Sequence, residues 1–315
     1  MGAEGVSAEL RLIGAEELRA RLPMVAAIDA LETAFRTLDP GTGPLRTSLE
    51  TPAGSLLVMP AFGDAGVGVK LVTLTSSNPG RGLPYIQAGY VLFDTDTQAP
   101  EAVLDGTALT ALRTAAVSGL ATRHLAREDA ARLVVFGAGV QARAHVEAMC
   151  AVRPVKELVV VSRSSGPTGS LVRAGLERGL AARPGEPGSV AEADLVCTCT
   201  TSGEPVFDGS LLPSGAHVNA VGSHRPDARE LDTETVRRGR VVVETRQVAL
   251  AEAGELAIPI ADGAIEAGHV VADLAEAVRG APVRRSTEDL TVFKSVGMAF
   301  EDLVVARAIV DAPSS

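Results

Sequence analysis

Between residues 23 and 38, Val25, Ile28, Leu31, Phe35 and Leu38 recur at three- and four-residue spacing, which places one apolar stripe on a helix. Pro23 suits the first position of that helix, and a shorter helix is predicted before it at 15–21. The run Pro40-Gly41-Thr42-Gly43-Pro44 stops it. The spacing then changes. Residues 45–50, 54–60, 67–74, 87–94 and 102–106 read as β-strands, interrupted by Thr51-Pro52 and by a loop at 80–84. Residues 110–125 read as a long helix. Strands bounded by a helix at each end predict an α+β domain for this first third.

From Arg132 onward, strand and helix alternate. Short apolar runs at 133–136, 158–161, 194–200, 216–221 and 241–243 read as strands, with helices expected at 140–149 and 170–180. Alternation of this kind predicts a parallel sheet wound on both faces. The segment Arg183-Pro-Gly-Glu-Pro-Gly is too rich in breakers for a regular third strand, so that unit is expected to be shortened.

Composition narrows the function. At 315 residues with 46% apolar residues, the chain has room for two domains, each with a real core. A net charge of −10 disfavours nucleic-acid binding, which needs clustered cations, but permits a local basic pocket. The three cysteines, Cys150, Cys197 and Cys199, are an odd and sparse count that fits a reducing compartment and no disulfide framework. Cys197 and Cys199 read as small buried residues of a strand. No run reaches membrane-spanning length. A soluble cytoplasmic protein with no membrane partner is expected. The histidines show no metal-like spacing, so no metal is expected.

The segment 132–142, Arg-Leu-Val-Val-Phe-Gly-Ala-Gly-Val-Gln-Ala, carries the most specific chemistry. A buried strand breaks at Gly137-Ala138-Gly139, and a helix opens at Val140-Gln141-Ala142. Gly137 can make a tight turn, Gly139 lets a pyrophosphate approach the backbone, and the helix start offers unpaired N–H groups. Ala142 is small enough for close helix–strand packing. This context makes a dinucleotide site a better reading than an ordinary glycine turn. An NAD-preferring site usually places a carboxylate about 20 residues beyond the glycines. Here the second strand ends in Ser162-Arg163-Ser164, which has no carboxylate and a cation suited to a 2′-phosphate. NADP(H) is therefore expected over NAD(H), which stays possible.

Several segments together resemble the ornithine cyclodeaminase/mu-crystallin family, in particular its ketimine-reductase side. They are Leu45-Arg46-Thr47, Val58-Met59-Pro60, Lys70-Leu71-Val72-Thr73, Asp105-Gly106 with Arg113-Thr114-Ala115, the glycine motif, Val221-Gly222-Ser223-His224-Arg225-Pro226, and Thr291-Val-Phe-Lys-Ser-Val-Gly. The resemblance implies an α/β protein with a Rossmann dinucleotide-binding domain, 119–285, inserted in an α+β substrate-binding and dimerisation domain formed by 1–118 and 286–315. It implies a homodimer and a small α-imino, α-keto or amino acid as substrate, reduced by hydride from the nicotinamide. It places Arg46, Lys70 and Arg113 in the substrate pocket, where cations suit a carboxylate. Lys70 is the candidate proton donor to the imine. Arg113 and Thr114, read at a helix start, together with Val221 and Ser223, join Gly137, Gly139, Val140, Gln141, Ser162, Arg163 and Ser164 as candidate cofactor contacts.

His224 departs from the cyclodeaminase pattern, which has an aspartate there to engage the substrate amine. A histidine suits proton relay rather than the holding of an ammonium group. Reduction of a cyclic ketimine acid is therefore expected. Ornithine or lysine cyclodeamination, and non-catalytic NADPH or ligand binding, are the alternatives.

Overall fold

The computed structural model describes residues 10–40 and 43–313; Gly41 and Thr42 of the breaker run lie outside them. In chain order the elements begin with β1 (Arg11–Ile13), α1 (Ala15–Arg21), α2 (Met24–Thr37), β2 (Thr47–Thr51), β3 (Gly54–Gly63), β4 (Gly66–Leu74), β5 (Ile86–Phe93), β6 (Pro100–Asp105) and α3 (Gly106–Leu125). There follow β7 (Arg132–Phe136), α4 (Val140–Val152), β8 (Glu157–Val161), α5 (Ser165–Glu177), β9 (Ala181–Pro184), β10 (Leu195–Thr198) and β11 (His217–Ala220). The last are α6 (Thr233–Arg238), β12 (Arg240–Val243), α7 (Arg246–Glu252), α8 (Gly254–Ala261), β13 (Val270–Asp273), α9 (Leu274–Val278), β14 (Thr291–Lys294) and α10 (Ala299–Asp311).

The chain divides into two compact units, one of Met1–Ala30, Thr42–Arg113 and Met298–Ser315, the other of Leu31–Gly41 and Thr114–Gly297. The first unit is built on a six-stranded sheet ordered β1-β6-β5-β4-β3-β2, antiparallel except for the β1–β6 pair. Alternation along each strand sends Leu57, Met59, Lys70, Val72, Tyr90, Leu92 and Leu104 to one buried face, on which α10 packs. The opposite face is also apolar. Val58, Pro60, Val67, Val69, Val91 and Val103 on it are half-buried, and Leu12, Leu49, Phe62 and Leu71 are exposed.

The second unit holds eight strands, all parallel, ordered β13-β12-β14-β11-β10-β7-β8-β9. The winding runs from β7 outward through β8 to β9, then reverses at β10, which lies on the other side of β7. All these strands end at one edge, and the reversal creates a switch point there between β7 and β10, where α/β sheets bind ligands. The central strands are buried on both faces and read as short continuous apolar runs such as Leu133-Val134-Val135-Phe136. Ala142, fully buried on α4, allows the close helix–sheet contact expected of that position. At the far end of α3, Arg153 donates to the carbonyls of Thr122, Arg123, Ala126 and Arg127, closing the orphan acceptors of the last turn.

The structure corrects the sequence reading at several points. β14 pairs between β11 and β12 in the parallel sheet, so residues 291–294 belong to the second unit rather than to the domain expected to resume at Ser286. A third strand does form, as β9; it is four residues long and lies at the sheet edge, where Pro184 removes no inward ladder bond. α3 starts at Gly106, because Asp105 accepts from the amides of Thr107 and Ala108 and caps it. Arg113 and Thr114 therefore sit two turns inside the helix, and no helix-start amides lie beside them. α5 runs from Ser165 to Glu177 instead of 170–180, ending before Gly179 at φ +81°.

Candidate active site

In the first unit, strand alternation puts Lys70 on the inner face of the sheet, paired in register with Met59 on β3 and Tyr90 on β5. The first turn of α10 carries Glu301 and Asp302, both fully buried. Lys70 Nζ donates to Asp302 Oδ1 at 2.8 Å and lies 2.7 Å from Oδ2. Arg113 Nε donates to Asp302 Oδ1 at 3.0 Å, and its Nη1 donates to Glu301 Oε2 at 2.9 Å. Two cations and two carboxylates are thus buried together, which is tolerable only because each charge has a counter-charge within hydrogen-bond reach. The acids also occupy the end of α10 where the helix dipole favours negative charge.

The amine of Lys70 is unusually acidic. Burial, then the charge of Arg113, bring it from 10.5 down to about 8; Asp302 pulls the other way, and Arg46 adds a further push downward. Arg46 itself precedes β2 and is half-buried. The Tyr90 hydroxyl is packed over Gly68, where a Cβ would come within 2.1 Å of it. Burial and the nearby Asp302 push that phenol well above its ordinary value, so it stays neutral.

In the second unit the turn after β7 is backbone-limited. Gly137 has φ +101°, and a Cβ there would lie 2.5 Å from the carbonyl oxygen of Cys199 at the end of β10. Gly139 precedes α4 with no side-chain cap on the helix, and a Cβ placed on it meets nothing within 4 Å. Val140 is exposed and Gln141 half-buried in the first turn of α4. Open space at Gly139 and uncapped amides at a helix start fit a pyrophosphate. Beyond β8, Arg163 and Ser164 are exposed and Ser162 is half-buried.

The loop beyond β11 is tied down by charged side chains. Glu230, fully buried, accepts from Gly222 N at 2.7 Å, Thr200 N at 2.7 Å, Thr200 Oγ1 at 2.7 Å and Thr198 Oγ1 at 2.8 Å. A Cβ on Gly222 would fall 2.2 Å from the Thr200 carbonyl oxygen. Ser223 is buried and its hydroxyl donates to the Ala228 carbonyl, so its side chain has no further proton to donate. Val221 and His224 are half-buried on the same loop. Burial holds His145 and His217 at about 4 and about 3, so both stay neutral core residues near pH 7.

A model of the ornithine cyclodeaminase/mu-crystallin family matches residues 11–315. The chain belongs to that family. It is 35% identical over 309 residues to a Delta(1)-pyrroline-2-carboxylate reductase of Bacillus cereus, covering 94% of each chain. The structure of Thermococcus litoralis Delta(1)-pyrroline-2-carboxylate reductase in complex with NADH and L-proline superposes with a TM-score of 0.91 at 36% identity, covering 96% of this chain and 97% of that one. An archaeal alanine dehydrogenase dimer with bound NAD superposes at a TM-score of 0.90, with 30% identity over 96% of this chain and 95% of that one. The parallel unit is the Rossmann-type domain of this family, and the mixed-sheet unit accompanies it. Among the described residues, no helix is long and apolar enough to cross a membrane, and no group of His, Cys, Asp and Glu is placed to hold a metal ion.

Of the three pocket cations read from the sequence, the structure brings Lys70 and Arg113 onto one carboxylate and puts Arg46 near enough to perturb Lys70. Sequence reasoning missed Glu301 and Asp302. Their signal was there: two adjacent acids open a helix whose next four residues, Leu303-Val304-Val305-Ala306, are apolar and buried. Replacing Asp302 by Asn removes the counter-charge and leaves Lys70 beside Arg113. The Lys70 amine should then titrate below 8, read from lysine Cε resonances, which are simple to assign in a chain with three lysines. The fold should lose about 3–5 kcal/mol, read by denaturant unfolding.

Proposed function

We propose that this chain reduces a cyclic α-imino acid to the α-amino acid with a nicotinamide dinucleotide. The single observation that carries the reading is Lys70: a buried amine titrating near 8, held beside Arg113 and under the influence of Arg46. An imine accepts hydride readily once its nitrogen is protonated. An ammonium with a pKa of about 8 is charged at neutral pH yet weak enough in its hold on the proton to hand it over. Arg46 and Arg113 hold the substrate carboxylate, and the bonds from Arg113 to Asp302 and Glu301 fix the plane of its guanidinium.

The bound reduced nicotinamide supplies the hydride. Gly137 turns the chain and Gly139 gives the pyrophosphate access to the first amides of α4, at Val140 and Gln141. The backbone of Val221 and Ser223 borders the nicotinamide, and Thr114 contacts the cofactor. Arg163, flanked by Ser162 and Ser164, takes the 2′-phosphate of NADP(H), in the absence of the carboxylate that would favour NAD(H). Relatives solved with NADH or NAD keep NAD(H) as the second candidate. His224, standing where a cyclodeaminase has aspartate, relays protons and does not hold a substrate ammonium. The apolar outer face of the six-stranded sheet supports a homodimer, as does the dimeric archaeal alanine dehydrogenase.

Pure protein should consume NADPH with 1-pyrroline-2-carboxylate or 1-piperideine-2-carboxylate. Arg46→Ala should raise KM roughly 10- to 100-fold with a smaller change in kcat, as expected for one charged hydrogen bond. Absence of turnover with every ketimine and every keto acid plus amine defeats the reading. Arg163→Ala should lower the NADPH-over-NADH preference about tenfold, the size of one phosphate contact, while leaving NADH kinetics intact. Sedimentation equilibrium should give twice the 32.3 kDa chain mass, and Leu71→Glu should shift it towards one.

A further inference from the structure

The chain has three lysines, and two of them, Lys70 and Lys294, are 1% exposed. Lys70 belongs to the cluster described above. Lys294 ends β14, beside β11 in the Rossmann sheet. Its ammonium donates to the carbonyl oxygen of Ser223 at 2.7 Å and lies 3.0 Å from Glu255 Oε2. Glu255, equally buried on α8, accepts from the Glu230 amide at 2.9 Å through Oε1. Glu230 in turn accepts from the Gly222 amide. The chain of contacts is closed: Gly222 is held through its N–H, Ser223 through its C=O, and both holders meet at Glu255.

A buried lysine on a backbone carbonyl is a costly way to tie a loop, since both charges of the Lys294–Glu255 pair must leave water. A turn stabilised by its own hydrogen bonds would hold the loop without that penalty. The arrangement does something such a turn would not. It sets the plane of the 223–224 peptide from the sheet side, and because that peptide is trans, the His224 N–H points away from Lys294. Glu230, whose amide Glu255 holds, accepts the Gly222 N–H, and a Cβ on Gly222 would fall 2.2 Å from the Thr200 carbonyl oxygen, so no larger residue fits there.

We propose that Lys294 and Glu255 are positioning residues for hydride transfer: they hold the Ser223–His224 peptide in the orientation that seats the nicotinamide ring. The inference rests on the reductase reading. It separates two jobs on one sheet edge, with the dinucleotide phosphates anchored at Gly137 and Gly139 and the reactive ring aligned by the loop that Lys294 holds.

The test compares parent, Lys294→Gln and the double variant Lys294→Met with Glu255→Gln. The double variant removes both buried charges but keeps an acceptor for the Glu230 amide, so it folds where the single variant leaves a carboxylate unpaired. Amide hydrogen exchange by mass spectrometry should rise at least tenfold in residues 221–230 and stay unchanged in residues 133–149. NADPH affinity, read by fluorescence titration, should stay within threefold. The kcat should fall about 100-fold, the cost of a misplaced reacting atom, and the isotope effect with deuterated NADPH should grow. Unchanged exchange in 221–230, a kcat within threefold of the parent, or a loss confined to NADPH affinity each overturns the proposal. An inactive parent defeats the reductase reading instead, and the exchange measurement still decides what Lys294 holds.

Discussion

The carboxylate of Asp302 is the contact on which the first unit's chemistry depends. It receives Lys70 from the middle of a strand and Arg113 from a helix, 232 and 189 positions away along the chain. Without it, two cations would share a dry space with the single carboxylate of Glu301, which Arg113 already engages, and Lys70 would lose its counter-charge. With it, the inner face of an otherwise apolar sheet can hold an amine whose proton is loosely bound. The neighbouring Glu301 pins the guanidinium, so the cluster is rigid as well as charged. Lys70, Arg113, Glu301 and Asp302 are two cations and two carboxylates, and Arg46 adds a positive charge near enough to lower the Lys70 pKa further.

The second unit solves a different problem, that of bringing backbone close to a ligand. Gly137 and Gly222 are both pressed against carbonyl oxygens at the strand ends, of Cys199 and Thr200. Gly139, by contrast, has open space where a Cβ would be, at the switch point where α/β sheets take ligands. Buried carboxylates then take the place of backbone partners in the loops. Glu230 holds the loop after β11, and Glu244 accepts from Ser295 Oγ and the amides of Val296 and Gly297 after β14. The same device, a buried acid closing a loop, recurs at neighbouring strand ends.

Much of this was legible in the residues. The glycine turn and the parallel strands follow from local pattern and motif, and the cations at 46, 70 and 113 were singled out by the family resemblance. Two kinds of feature were not. Short strands inserted late, such as Thr291–Lys294 and Val270–Asp273, gain their identity from neighbours far away in sequence, and four residues carry too little periodicity to announce them. Buried ion pairs are hidden for a related reason. Val67 to Thr73 is apolar on both faces, so alternation shows that Lys70 shares a face with Gly68 and Val72 but cannot say which face is covered. That became decidable only when α10 brought its acids. Arg113 shows the opposite error: a cation expected at a helix start lies inside the helix, because Asp105 caps it at Gly106 rather than at the expected start, Thr110.

The central claim is that the charged form of Lys70 stands beside an anionic cyclic substrate, whose carboxylate Arg46 and Arg113 hold, and protonates it. Calorimetric titration of pyrrole-2-carboxylate, a planar unreactive stand-in, into NADP-saturated protein from pH 7 to pH 10 tests it most directly. Affinity should be flat up to about 8, where the Lys70 amine titrates, and weaken steadily above it. In Lys70→Met it should be weaker and independent of pH across the same range. Binding that ignores pH in the parent, or that is equally tight in Lys70→Met, would contradict the account.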